Sequence, residues 1–187
     1  MAFVVPQGAE GHWRYNDGMP LALQIPVDEY LRTHYDPDRD YVDGEAKARN
    51  VGEWDHSTVQ TNLAAYLAAR RGDFRIRVKV ELRLQIRPDR YRIPDVSVLD
   101  EHAPVERVVT TAPLLCVEVL SASDTVDEMQ ERVADYLGIG VPCVWVISPK
   151  LRRAWVYGTA RIEEIRSGPL TTPDGRIQVP LADLFTD

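Results

Sequence analysis

Two short stretches decide the fold of this chain: Tyr-Arg-Ile-Pro-Asp-Val-Ser-Val at residues 91–98 and Leu-Leu-Cys-Val-Glu-Val-Leu-Ser at residues 114–121. Both are apolar and rich in β-branched side chains, which is typical of strands. Each has one carboxylate inside it, Asp95 in the first and Glu118 in the second. A buried carboxylate is costly unless it is paired or coordinates a metal. The two stretches therefore predict a shared cation site.

The spacing within each stretch predicts how the two carboxylates meet. Side chains alternate along a strand, so Asp95 shares a face with Ser97, and Glu118 shares one with Cys116. If the strands pair, carboxylates about 5 Å apart at an effective dielectric of about 20 repel by roughly 3 kcal/mol, which requires a shared proton or a cation. Oxygen ligands favour Mg²⁺, Mn²⁺ or Ca²⁺ over zinc. Alternatively, each carboxylate accepts hydrogen bonds from backbone donors or an arginine at a sheet end.

The flanking sequence predicts helices and strands on both sides of these stretches. In chain order the expected elements are a short helix after Pro26, a hairpin over 40–49 with a type I′ turn at Asp43-Gly44, a helix from His56 capped by Asp55, a strand over 75–86, strands over 91–99 and 114–121, a helix over 125–137 capped by Asp124, a strand over 142–147, a hairpin over 154–165 and a helical turn over 180–185. This order predicts a mixed sheet with helices on both sides.

Composition is that of an ordinary globular protein. The 187 residues are 44% hydrophobic and 27% charged, and they predict an N-terminal arm over 1–22 followed by a single domain over 23–187. No apolar run approaches the length of a transmembrane helix, and the N-terminus lacks signal-peptide regions, so we expect a cytoplasmic protein with no membrane partner.

Cys116 and Cys143 lie in apolar runs and are expected to be reduced core residues rather than a disulfide.

The distribution of charge leaves two interpretations open. A net charge of −7 argues against a general nucleic-acid coat protein. From Arg70 to Arg92, however, nine basic residues face three acids, so this segment has an excess of six positive charges. Such a segment could meet phosphates, or it could be the solvated face of a hairpin. Its candidate nucleic-acid contacts are Arg75, Arg77, Arg83 and Arg92.

Several motifs resemble a known family over roughly residues 25–187. They are Asp43-Gly44, His56, Pro94-Asp95, Glu118-Val119-Leu120-Ser121, Tyr136 and Gly140-Val141-Pro142 with Val144-Trp145. In this order and spacing they are similar to the Uma-type putative restriction endonucleases of the PD-(D/E)XK nuclease superfamily. The resemblance implies an α/β (α+β) fold like that of restriction endonucleases. Its mixed central sheet is flanked by helices, with an added N-terminal hairpin and C-terminal hairpin.

The same resemblance implies an activity and a set of site residues. Mg²⁺, or Mn²⁺, would be held by Asp95, Glu118 and the backbone carbonyl of Val119, and phosphodiester bonds of DNA would be hydrolysed. The metal would lower the pKa of a water and offset the charge that develops on the phosphorane. Asp40, the matching acidic position before the Asp-Gly turn, is expected to join the site. A homodimer is also expected, with the strand at 142–147 and the C-terminal hairpin as its interface.

One departure from the family pattern concerns the lysine. The superfamily position two residues after Glu118 is Leu120 in this chain, and the alternative position four residues before Tyr136 is Arg132. Arginine can stabilise a phosphate as a fixed cation, but it transfers protons poorly because it stays protonated. Lys79, on the polar face of the preceding strand, is a candidate replacement, or else an ordinary surface lysine.

These departures lead to a second hypothesis, a catalytically impaired nuclease-fold protein that serves as a nucleic-acid-binding or assembly module. Convergence of Asp95, Glu118 and a basic side chain in a cleft favours the enzyme. A closed salt bridge in which Arg132 fills the cation position on Glu118 favours the module.

His56 is either a hydrogen-bonding residue near the site or a surface histidine. The sequence has no serine-hydrolase motif, phosphate-binding glycine loop or dinucleotide fingerprint.

Overall fold

The structure, a computed structural model, describes residues 24–49 and 53–186, so the predicted arm over 1–22 lies outside the described residues. The described helices are α1 (Val27–Arg32), α2 (Trp54–Ala69), α3 (Arg71–Phe74), α4 (Val126–Gly138) and a 3₁₀ helix (Leu181–Phe185). The described strands are β1 (Arg39–Val42), β2 (Glu45–Ala48), β3 (Ile76–Val80), β4 (Leu84–Arg87), β5 (Arg90–Arg92), β6 (Val96–Asp100), β7 (Leu115–Val119), β8 (Cys143–Ser148), β9 (Arg153–Gly158), β10 (Ile162–Ile165), β11 (Pro169–Thr171) and β12 (Gln178–Pro180).

A six-stranded mixed sheet forms the centre of the molecule, in the order β10-β9-β8-β7-β6-β3. Strands β7 and β8 are parallel and are connected through α4, whereas the other neighbours are antiparallel. Parallel neighbours need a long connection such as this helix, because a tight turn reverses the direction of the chain and would make the two strands antiparallel. The predicted mixed sheet with flanking helices is confirmed.

Helices cover both faces of this sheet, and the alternation of side chains along β7 explains how. Val117 and Val119 pack with Leu63 of α2 on one face, in a core that includes the 3₁₀ helix. Cys116, one position away, packs with Val133 of α4 on the opposite face. Glu118 has the same parity as Cys116 and therefore lies on the α4 face. Both cysteines are free and buried, as predicted.

A second sheet, in the order β2-β1-β5-β4, packs beside the first. Its hairpin turns at Asp43 and Gly44, which have φ values of 53° and 93°, so the predicted type I′ turn is confirmed. Tyr41 of this sheet stacks on Tyr30 of α1 with ring centroids 4.8 Å apart, and Tyr91 packs against Tyr30 at a tilted angle, 5.8 Å away. This sheet positions β2, which ends beside the carboxylates.

Two predicted strands are each divided between the sheets. The strand expected over 75–86 breaks at Glu81, whose φ of 51° is incompatible with a ladder, so β3 and β4 lie in different sheets. The strand expected over 91–99 breaks before Asp95, where Pro94 supplies no N–H for a ladder. Asp95 therefore precedes β6 instead of lying inside a strand, whereas Glu118 lies inside β7 as predicted.

The predicted helix caps also differ from the observed ones. Helix α2 begins at Trp54 with Glu53 as its N-cap, so Asp55 lies in the first turn. Thr125 caps α4 in a capping box with Glu128, which leaves the side chain of Asp124 for other partners.

The predicted dimer interface is partly ruled out. Strand β8 is buried between β7 and β9, so it offers no surface to a second copy. Edge strand β10 of the C-terminal hairpin remains exposed at most positions.

Among the described residues, no helix combines the length and apolar character required to cross a membrane.

Candidate metal and phosphate site

Asp95 lies directly before β6, buried beneath α2. Its Oδ2 accepts a hydrogen bond from the backbone N–H of Val119 at 2.7 Å and lies 3.3 Å from Nε2 of His56. Its Oδ1 accepts a hydrogen bond from Nη2 of Arg49 at 2.7 Å. Burial raises the pKa of Asp95, but the bond from His56 and the charge of Arg49 outweigh burial, so its pKa is lowered. Asp95 is therefore ionised at neutral pH.

Glu118 lies one strand away, on the α4 face of β7, with 1% of its surface exposed. Its Oε2 accepts a hydrogen bond from Arg132 at 3.0 Å, and its Oε1 accepts one from the hydroxyl of Tyr136 at 2.5 Å. Arg132 and Tyr136 are four residues apart on α4, so both face the same carboxylate. Burial and the charge of Asp95 raise the pKa of Glu118 to about 7, although Arg132 opposes them.

The β6–β7 pairing brings the two carboxylates together. Val96 lies opposite Val117 in the antiparallel register, so the preceding Asp95 lies beside Glu118, and its Oδ2 contacts the adjacent Val119 N–H. Asp95 and Val119 line a cavity of about 130 Å³, which is room for several waters. Its charged lining residues are Asp40, Lys47, Arg49, His56, Arg92, Asp95, Asp124, Glu128, Glu131 and Arg132.

Asp40 reaches the cavity wall, but its oxygens are already engaged. Oδ1 accepts a hydrogen bond from the backbone N–H of Ile93, and Oδ2 accepts one from Arg92, both at 3.1 Å. Arg92 is 3% exposed and also pairs with Asp135 at 2.7 Å and Glu131 at 3.1 Å. Arg92 lines the cavity with its guanidinium paired to these acids, so its predicted contact with nucleic acid stays a prediction.

Lys79 and the three other arginines predicted to contact nucleic acid do not line the cavity. Lys79 is exposed on edge strand β3, outside the cavity lining. Arg75 pairs with Glu101 on the surface, and Arg77 donates to a backbone carbonyl. Arg83 stacks over the ring of Tyr30, 4.4 Å from its centroid. In the part of the chain that the structure describes, the lysine that lines the cavity is Lys47 of β2.

Sequence reasoning missed the residues that the hairpin contributes. Lys47 lies in β2, and Arg49 directly follows the last residue of this strand. Because the two residues are two positions apart, both side chains lie on the cavity side. Arg49 matches no motif, and its role depends on how the second sheet packs against the first. Asp124 was interpreted as a helix cap, but it accepts a 2.6 Å hydrogen bond from Arg132 and lines the cavity.

The donor set at this site suits a hard, hydrated cation. Among residues 24–49 and 53–186, no group of three or more His, Cys, Asp or Glu side chains is arranged to hold a metal. Mg²⁺ commonly binds through one or two carboxylates together with waters and substrate phosphates, so a pair such as Asp95 and Glu118 fits it. Burial and then the charge of Asp95 raise the pKa of Glu118 to about 7, and the charges of Arg132 and Arg49 oppose this rise.

A mixed sheet flanked by helices, with one carboxylate inside β7 and a second just before the neighbouring β6, defines an α/β protein with a restriction-endonuclease-like fold. Residues 27–181 match the Uma2 family model, described as putative restriction endonuclease, and the chain belongs to this family.

One of two similar solved structures supports the fold. A putative nuclease of the DUF820 family from Anabaena variabilis is 21% identical, with a TM-score of 0.76 over 86% of this chain and 97% of that chain. The DrdV–DNA complex is 18% identical, with a TM-score of 0.42 over 69% of this chain and 10% of that chain. No curated protein matches this chain.

Proposed function

We propose that this protein is a metal-dependent endonuclease that hydrolyses phosphodiester bonds of DNA. The observation that carries the proposal is the pair of buried carboxylates, Glu118 within β7 and Asp95 just before the neighbouring β6. Asp95 and Val119 lie at a cavity that is also lined by cationic side chains. Membership of a putative restriction endonuclease family supports the same activity. The proposal includes Mg²⁺ or Mn²⁺ as the ion and a homodimer as the assembly, which sedimentation would measure.

The residues of the site would have separate roles. Asp95, Glu118 and the carbonyl of Val119 would hold the ion, which when bound would activate a water and offset charge on the phosphate. Arg132 is held by two carboxylates, Glu118 and Asp124. It would act as a fixed cation toward the phosphate, because it stays protonated.

His56 would hold Asp95 in place. Burial lowers the pKa of His56, but the hydrogen bond to Asp95 and its charge outweigh burial and raise it. The second ring nitrogen, Nδ1, is buried without a hydrogen-bond partner. His56 would therefore orient Asp95 through Nε2 alone.

A nicking assay on supercoiled plasmid tests this function. We expect nicking with Mg²⁺ or Mn²⁺ that is abolished by EDTA. Asp95→Asn should lose at least about a hundredfold in rate, since a lost ligand removes several kcal/mol of charge stabilisation. The matched control is Arg161→Gln, an exposed side chain outside the cavity, which should keep the wild-type rate. Equal nicking by wild type and Asp95→Asn would refute the assignment.

A second candidate function, a non-catalytic nucleic-acid-binding or assembly module, rests on the two ion pairs of the site. Arg49 lies on Asp95 and Arg132 lies on Glu118, so both carboxylates already have cationic partners. The ion pair of Arg132 with Glu118 supports this module, whereas Asp95 and Arg132 at one cavity support the endonuclease. A mobility shift of DNA that is insensitive to EDTA, without any nicking, would favour the module.

A further inference from the structure

Arg49 is placed where a divalent ion would approach Asp95. It follows β2, and its side chain, 16% exposed, reaches across to Asp95, whose side chain is 4% exposed. Nη2 of Arg49 lies 2.7 Å from Oδ1 of Asp95. Oδ2 of the same carboxylate already receives the Val119 N–H and faces His56. Oδ1 is therefore the oxygen with the smaller number of protein contacts, and Arg49 occupies it.

The two arginines of the site are held differently. Arg132 bridges two carboxylates, at 3.0 Å from Glu118 and 2.6 Å from Asp124. Within the described ranges 24–49 and 53–186, the carboxylate at ion-pair distance from Arg49 is that of Asp95 alone. Arg49 also follows β2, which is an edge strand paired only with β1 among the described strands. Displacing Arg49 therefore breaks one ion pair, whereas displacing Arg132 breaks two.

Arg49 and a divalent ion stabilise the same negative charge, so they oppose each other. Burial lowers the pKa of Arg49, but the charges of Asp95 and Glu118 outweigh burial and raise it, so this guanidinium stays protonated. Like charges within a few ångströms in a partly buried site repel strongly, and a doubly charged ion is repelled twice as much as a single charge. The ion and the Arg49–Asp95 contact are thus alternatives.

We propose that Arg49 is a built-in competitor for the divalent ion: metal binds at Asp95 only when the Arg49 guanidinium leaves Oδ1. This inference rests on the proposed function in that it concerns the same metal site. It goes further because it states that the Arg49 side chain supplies the positive charge beside Asp95 when no metal is bound. Its consequence is a weak intrinsic affinity for metal, which substitution of Arg49 would raise.

Calorimetric titration of Mn²⁺ into the full-length protein, without DNA, tests this competition. We expect Arg49→Gln to bind Mn²⁺ at least tenfold more tightly than wild type, which corresponds to about 1.4 kcal/mol. Arg49→Lys keeps the charge and should stay within about threefold of wild type. The exposed control Arg161→Gln should leave the affinity unchanged. Adding Asp95→Asn to Arg49→Gln should abolish the gain, which assigns the binding to this carboxylate.

The outcomes separate this inference from the proposed function. Equal or weaker Mn²⁺ binding by Arg49→Gln, or no binding by any variant, overturns the competition. If that occurs while the wild type nicks DNA with Mg²⁺, the nuclease function still stands. Tighter binding by Arg49→Gln without nicking by any variant keeps the competition and removes the nuclease. Thermal unfolding of each variant separates a changed affinity from a lost fold, and Arg49→Ala, which also removes the charge, repeats the test if Arg49→Gln does not fold.

Discussion

At the scale of single residues, the site is defined by two carboxylates with opposite pKa shifts. Asp95 accepts a hydrogen bond from the Arg49 guanidinium on one oxygen and from the Val119 N–H on the other, and its pKa is lowered. Glu118 is more deeply buried, and desolvation together with the charge of Asp95 raises its pKa from an ordinary value of 4.5 to about 7. Titratable groups whose environments shift their pKa values in opposite directions are typical of functional sites.

The raised pKa of Glu118 predicts a pH-dependent stability. A carboxyl with a higher pKa folded than unfolded stabilises the fold below its unfolded value of 4.5, and this contribution is lost as the pH rises through about 7. Glu118→Gln resembles the protonated form, so it should be more stable than wild type at pH 8 by up to about 3 kcal/mol. The difference should shrink toward pH 5. Urea unfolding at both pH values measures it.

The control for this pH experiment is Glu163→Gln, an exposed substitution on β10. It should leave the pH dependence of wild type unchanged. A Glu118→Gln variant whose stability differs from wild type by the same amount at pH 5 and pH 8 would contradict the raised pKa.

At the scale of elements, α4 carries much of the site. It supplies Arg132 and Tyr136 to Glu118, and its capping box of Thr125 and Glu128 sets where the helix begins. The Oγ1 of Thr125 accepts the backbone N–H of Glu128, and the Glu128 carboxylate accepts the backbone N–H of Thr125. This reciprocal cap leaves Asp124 for Arg132.

The cap predicts a modest and specific loss of stability. Thr125→Ala should lower the free energy of unfolding by about 1 kcal/mol, because the backbone N–H of Glu128 loses its acceptor. Thr61→Ala, at an exposed position inside α2, should change it by less than about 0.5 kcal/mol. Chemical denaturation of both variants gives the comparison, and equal effects would argue against Thr125 as the cap.

At the scale of the whole molecule, a buried network of charges joins the two sheets through α4. Arg92 of β5 pairs with Asp40 of β1 and with Glu131 and Asp135 of α4. Neighbouring Arg90 binds Asp135 as well. The four-stranded sheet, which carries Arg49 at the end of β2, is thereby held against the helix that packs on the central sheet.

Removing one member of this network should be costly. Arg92→Met leaves buried acids without their cation, and breaking a buried ion pair from one side typically costs about 3 to 5 kcal/mol. Hydrogen exchange in β1 and β2 should accelerate more than exchange in β7 and β8. Arg161→Met on the surface should have neither effect. A loss below about 1 kcal/mol would show that the network contributes little to stability.

Much of the fold was predictable from local pattern. The type I′ turn at Asp43-Gly44 follows from residues that tolerate positive φ, and Glu118 within β7 follows from an apolar β-branched run. The divided strands at Glu81 and Pro94 were missed because alternation reports which side chains are apolar and not which sheet they join. Asp124 was misassigned because a carboxylate near a helix start suits both a cap and an ion pair.

Sequence alone was enough to single out the two carboxylates, because a charged residue within an apolar run is unusual in any fold. Which cations lie beside these carboxylates was decided by the packing of the two sheets. Arg49 reaches Asp95 across 46 positions of sequence, and Lys79, the sequence candidate, lies on an exposed edge strand. Which cation meets a buried charge depends on distances between sheets, and spacing along one strand carries no information about those distances.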